Sequence, residues 1–239
     1  MKKAWTSILL LIWVFTACVP QTPTDQPSII IEMPTLMNIP ANLTPAQGAA
    51  IASLSSNLDL PADKIILVST EAVDWPDECL GIDNAGWDCA QVITPGFRVL
   101  LEANDRQVEY RTNEDGTQLR PATAVFTWKR EGGIAGFCDY ITIYLSGEAH
   151  GGSCKQGQYA EVRLIDVLSK EEVAKLDNWL QIYGNVNIDA SNPKGVSDRM
   201  VVLLTVFGTG SQQTLSTSKE QELLNFAQEL HQRLDFNLK

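Results

Sequence analysis

The chain has 239 residues, 44% of them hydrophobic and 20% charged, with a formal net charge of -11. That apolar fraction suits one or two globular domains, and the acidic balance argues against nucleic-acid binding and against electrostatic attachment to anionic lipid.

The N-terminus has the form of a bacterial export signal. Lys2 and Lys3 precede the apolar run Ile8 to Phe15. The whole apolar stretch from Trp5 to Val19 is shorter than the roughly 20 residues of a membrane span, so cleavage is expected. Phe15-Thr16-Ala17-Cys18 resembles a lipobox, with small residues ahead of a cysteine that would carry lipid; Phe15 stands where leucine is usual. Lipid on Cys18, rather than charge, is then expected to hold the protein at the membrane. This gives a signal peptide over residues 1–17 and an extracytoplasmic, lipid-anchored product. Residues 18–43 follow as a tether rich in proline and threonine, with no sustained periodicity.

With Cys18 set aside, four cysteines remain: Cys79, Cys89, Cys138 and Cys154. In an exported chain an even number predicts two disulfides. Three connectivities are open, and the local pairs Cys79 with Cys89 and Cys138 with Cys154 are favoured because each closes a short loop. Neither spacing matches a zinc site, so no metal and no cofactor are expected.

The first folded unit, residues 44–120, opens on Thr44-Pro45-Ala46-Gln47, a capping box with proline at the first helical position. Ala50, Ile51, Leu54 and Leu58 share one face of that helix. Residues 65–70 are apolar on both faces at first, which predicts a strand central in its sheet. The alternation of residues 97–102 and 108–112 about Asn104-Asp105 predicts a hairpin, and a turn at 113–116 leads to a third short strand. A helix with a three-strand antiparallel meander is expected, faintly similar to PepSY-type envelope modules. Between strand and hairpin, residues 74–89 hold five acids with Trp75 and Trp87. Their order does not fit a calcium loop, and a disulfide-closed surface loop is the plainer reading.

The second unit, residues 121–239, is organised around Gly132-Gly133-Ile134-Ala135-Gly136-Phe137. Three glycines in five positions cannot form the interior of a strand or helix, so a shaped loop is expected between strands at 124–128 and 140–144. Leu145-Ser146-Gly147 suits a three-residue hairpin turn that sets Cys138 opposite Cys154. Ser169 to Glu172 is a second capping box, followed by the stripe Val173, Leu176, Trp179, Leu180 and Tyr183. Residues 200–207 form the most apolar strand, 212–215 its continuation, and Ser218 with Gln221 is expected to cap a final helix. The predicted class is α+β: two small units, each an antiparallel sheet packed by one or two helices.

The glycine loop between two strands, the capped helix containing Leu176, and Gly195-Val196-Ser197-Asp198 leading into a strand before a last helix resemble the emfourin family, over residues 122–234. That resemblance implies inhibition of thermolysin-like metallopeptidases, with residues 132–136 and 195–198 as the carried-over motifs. The added Cys138 and Cys154, the long hairpin and the lipid anchor depart from it.

Two histidines, His150 and His231, come without a nucleophile or metal-spaced partners, and His231 is expected on the exposed side of its helix. Asn185 to Asp189 has alternate oxygens but lacks the glycine and glutamate of a calcium loop. No phosphate-binding motif is present. The sequence thus predicts a non-enzymatic envelope protein that binds another envelope or secreted protein, a peptidase by the resemblance. Its binding loop would be Gly132 to Phe137. The alternative is a sensor for a small envelope ligand, with the acidic loop and its tryptophans as the site.

Overall fold

A computed structural model describes residues 42–82, 89–153 and 164–236. The first helix, α1 (Pro45–Leu58), starts as the capping box requires: Thr44 Oγ1 accepts from the Gln47 amide at 3.3 Å, and Gln47 Oε1 accepts from the Thr44 amide at 2.9 Å. It ends at Asp59, which adopts φ 50° and returns its N–H to Ser55 and Ser56. Four strands follow: β1 (Ile66–Trp75), β2 (Thr94–Ala103), β3 (Arg106–Asn113) and β4 (Leu119–Pro121). They form an antiparallel meander in the order β1-β2-β3-β4. Asn104 and Asp105, both left-handed, make the tight β2–β3 turn. Ala50, Ile51 and Leu54 of α1 pack on Val99, Leu101, Val108 and Tyr110.

Here the expected central position of the first strand is corrected. β1 lies at the sheet edge, paired only with β2, and the meander has four strands. The register shifts between Leu67 and Ser69, so Val68 is an extra residue at a bulge. Leu67 packs on the core, while Ile66 and Val68 are exposed. A bulge, rather than burial on two faces, accounts for the unbroken apolar run.

The second sheet holds β5 (Ala124–Gly132), β6 (Phe137–Tyr144), β7 (Glu148–Ser153), β8 (Leu164–Val167), β9 (Asn185–Asp189) and β10 (Met200–Phe207), in the order β8-β7-β6-β5-β10-β9, all antiparallel. Two helices, α2 (Lys170–Ile182) and α3 (Thr217–Phe236), share one core with it. Phe226 of α3 meets Phe126 of β5 and Trp179 of α2 edge to face, at 5.9 and 5.0 Å. The Ser169 box caps α2 as expected, with Ser169 Oγ accepting from the Glu172 amide and Glu172 Oε2 from the Ser169 amide. Each unit is therefore an antiparallel sheet packed by helices, and the class is α+β.

One local pattern is explained and two local readings change. Asn185 to Asp189 is an edge strand, alternately exposed and buried, so its spaced oxygens are simply its outer face. Residues 212–215 do not form a strand; Gln212 makes a single bridge to Tyr183. The last helix begins earlier than expected, with Ser216 Oγ, not Ser218, accepting from the Lys219 amide at 3.4 Å.

The described residues fall into one compact unit, and Leu145 packs against both cores. At this junction Glu148 Oε1 accepts from Asn57 Nδ2 at 2.9 Å and from the Tyr110 hydroxyl at 3.4 Å. Burial, reinforced by the Glu148 charge, pushes the Tyr110 phenol well above its ordinary range, so Tyr110 stays a donor.

Candidate functional site

The glycine loop closes β5 onto β6 beyond the pair Gly132 and Phe137. Gly132, Gly133 and Gly136 take φ of 86°, 71° and 59°, a region that L side chains enter only under strain, and the Gly136 amide donates to Gly133 O at 2.9 Å. The turn is thus specified by its own backbone. It leaves Ile134 92% exposed at the tip.

The second carried-over motif lies beside it. Antiparallel pairing of β10 with β5 sets Met200 opposite Gly132, and the Gly133 amide donates to Arg199 O at 3.2 Å. A Cβ on Gly132 would lie 2.4 Å from that same carbonyl, so close approach also demands glycine there. The stretch before β10 is held by Asn192, whose Oδ1 accepts from the Met200 amide and whose carbonyl accepts from Arg199 Nε, both at 2.9 Å. Gly195 and Asp198 are left-handed, and Val196 between them is 50% exposed. Two loops far apart in sequence therefore present Ile134 and Val196 at one end of the sheet.

A charged brace supports the loop from the helix side. Arg130 donates through Nε to Asp139 Oδ2 at 3.0 Å and stacks on Phe137 at 3.8 Å and on Trp128 at 5.6 Å. Asp139 is buried, and His231 Nε2 lies 3.9 Å from its other oxygen, with the imidazole against Trp128 at 5.6 Å. The expected exposed place of His231 is corrected: it is buried under the sheet. His150 is buried too, its Nε2 3.1 Å from Glu148 and its ring 4.8 Å from Tyr144. The brace escaped notice in the sequence, although a signal was there: a hairpin folded about Ile134 and Ala135 sets Arg130 opposite Asp139.

Trp75 is engaged within the fold. It is buried, donates Nε1 to Thr112 O at 2.9 Å and lies under the Arg111 guanidinium at 4.9 Å. Trp87 lies outside the described residues, as do Cys18 and Cys154. Cys79 and Cys89 are joined with 5.6 Å between Cα atoms, and Cys138 is also disulfide-bonded. Asp77 stands next to the first bridge, but both sulfurs are spent in the bond and its Oδ1 accepts from the Gly81 amide at 3.0 Å, so the group is not a metal site. No helix among the described residues is long and apolar enough to cross a membrane.

Residues 48–121 match the family model of a domain of unknown function, DUF8738, which covers α1 from Gly48 onward and the whole meander. No curated protein and no solved structure matches the chain.

Proposed function

We propose that the paired loops, Gly132 to Phe137 and Gly195 to Asp198, form a protein-binding surface of a non-enzymatic protein anchored to the cell envelope through lipid on Cys18. One observation carries the reading: Ile134, a bulky aliphatic side chain, stands almost fully exposed on a backbone fixed by three left-handed glycines, a cross-loop hydrogen bond and a charged brace. Such a side chain gains little where it is, while burial in a partner pocket would stabilise a complex by about 1.5–3 kcal/mol. Because the loop is already ordered, little conformational entropy is lost on binding. These two loops are the motifs carried over from the resemblance to emfourins, and that resemblance names a thermolysin-like metallopeptidase of the envelope or its surroundings as the partner.

The alternative, a small-ligand sensor built on the acidic loop, loses support from Trp75, whose ring and N–H are both engaged internally. The test is an inhibition assay of a thermolysin-like peptidase with the purified chain in excess, run beside a direct binding measurement. Binding with inhibition supports the full reading; binding without inhibition keeps the surface and discards peptidase restraint. Absence of both discards the proposal.

A further inference from the structure

The junction of the two sheets carries a cleft remote from the paired loops, at the far end of β6. The last turn of α1, Ser56 to Asp59, faces the first turn of α2, Ser169 to Ala174, across an opening of about 560 Å3. That volume is in the range of small-molecule sites, which favour such junctions. Leu58 and Val173 line it and continue into a narrower recess with Leu145 and Leu176. The lining is mixed: Leu58, Val167, Leu168, Val173 and Ala174 give an apolar strip, and Ser56, Asn57 and Ser169 add polar groups beside it. At the mouth the Lys170 ammonium and the Asp59 carboxylate pair with each other, one from each helix, with side chains 77% and 69% exposed. Asp177 also borders the cleft but is engaged by Arg106.

We propose that this trough binds a zwitterionic apolar ligand, an amino acid or short peptide with both termini uncapped, its carboxylate on Lys170, its ammonium on Asp59 and its aliphatic side chains along Leu58 and Val173. Charge decides among ligand classes. A lone anion that takes Lys170 meets the Asp59 carboxylate beside it, and a lone cation that takes Asp59 meets the Lys170 ammonium. A neutral apolar molecule covers a charged pair that it cannot replace. Only a ligand with both charges exchanges the existing pair for two of its own, and an exposed pair of this kind contributes little, so the exchange is cheap. The inference stands apart from the paired-loop reading and uses none of its residues.

The probe is L-leucyl-L-leucine, titrated into the full chain by NMR and calorimetry beside its N-acetylated, C-amidated form. Saturable binding is expected, with amide shifts at Leu58, Lys170 and Val173, and at least about tenfold weaker binding of the blocked form. Lys170→Ala and Asp59→Asn should each weaken binding by about tenfold while leaving the melting transition in place, since both side chains are exposed and asparagine, like aspartate, tolerates the left-handed φ of 50° at the end of α1. Ile134→Asp, at the other end of the sheet, should leave this binding unchanged. The proposal is overturned if the unblocked dipeptide shows no saturable binding, if the blocked form binds equally well, or if the Lys170→Ala and Asp59→Asn variants match the native chain.

Discussion

The Arg130 guanidinium lies over the Phe137 ring, 3.8 Å from its centre, so the strand that leaves the glycine loop is clamped to the strand that enters it. The charge is held there by Asp139, which is buried and accepts from Arg130 Nε and Nη2. Arg130→Met keeps much of the stem's packing but leaves a buried carboxylate without its cation. We expect a loss of about 2–4 kcal/mol, read as a shift of the denaturation midpoint at unchanged slope. Arg130→Met combined with Asp139→Leu should recover part of that loss, because the uncompensated charge is gone.

Much of this fold was legible because its signals are local. Thr44 with Gln47 and Ser169 with Glu172 marked two helix starts, and Gly147 at φ 83° marked the hairpin turn. What failed depended on tertiary context. Nothing in Ile65 to Val68 announces a bulge, so an edge strand read as a central one. His231 was placed by its distance from Leu230 and Leu234, whereas its position four residues after Ala227 puts it on the buried stripe. Ser216 and Ser218 are equally good caps by residue type, and only the backbone path selects Ser216. At the site, the glycine loop could be read as a loop, but its adjacency to residues 195–198 follows from β5 pairing with β10, a contact across some seventy residues.

The Cys79–Cys89 bridge joins cysteines ten positions apart, and Leu80, next to the first of them, is fully buried at φ 61°. Replacing both cysteines by alanine should cost about 2–3 kcal/mol by the loop-closure argument. Leu80→Ala should cost about 2–4 kcal/mol by the cavity it leaves. Non-reducing peptide mapping of the native chain should recover Cys79 with Cys89, and Cys138 with Cys154. A bridge from Cys79 to Cys138 would contradict the local pairing.

Acid should weaken the clamp between α2 and α3. Burial alone would raise the Glu172 carboxyl, but the Ser169 amide and the Arg233 guanidinium, which donates to both its oxygens at 2.9 and 2.8 Å, outweigh burial and hold it below the ordinary 4.5. A carboxylate depressed on folding contributes stability that is present above its unfolded value and lost as pH falls through the folded one. Native stability should therefore decline from about pH 4.5 downward, and Glu172→Gln should flatten that part of the profile while lowering stability at pH 7. Denaturant midpoints at a series of pH values check this; an identical acid limb in the variant would remove Glu172 from the account.

The decisive test of the binding surface is at Ile134. A substitution at Gly133 is less informative, because its Cβ would lie 3.1 Å from Met200 Cε at a φ of 71°, so lost binding would be mixed with backbone strain. Ile134 is 92% exposed, and changes at such positions usually alter stability by less than about 0.5 kcal/mol. Ile134→Asp keeps the chain length and the glycines but puts a charge where a partner pocket would close. Capture of the partner, or inhibition of the peptidase, should fall by at least about a hundredfold, roughly the cost of burying an unpaired carboxylate in an interface. Ile134→Leu should retain most of the affinity, and Val196→Asp should show a smaller loss, in keeping with its half-exposed place at the rim. Full binding by Ile134→Asp, with its melting transition unchanged, would remove the paired loops as the contact surface.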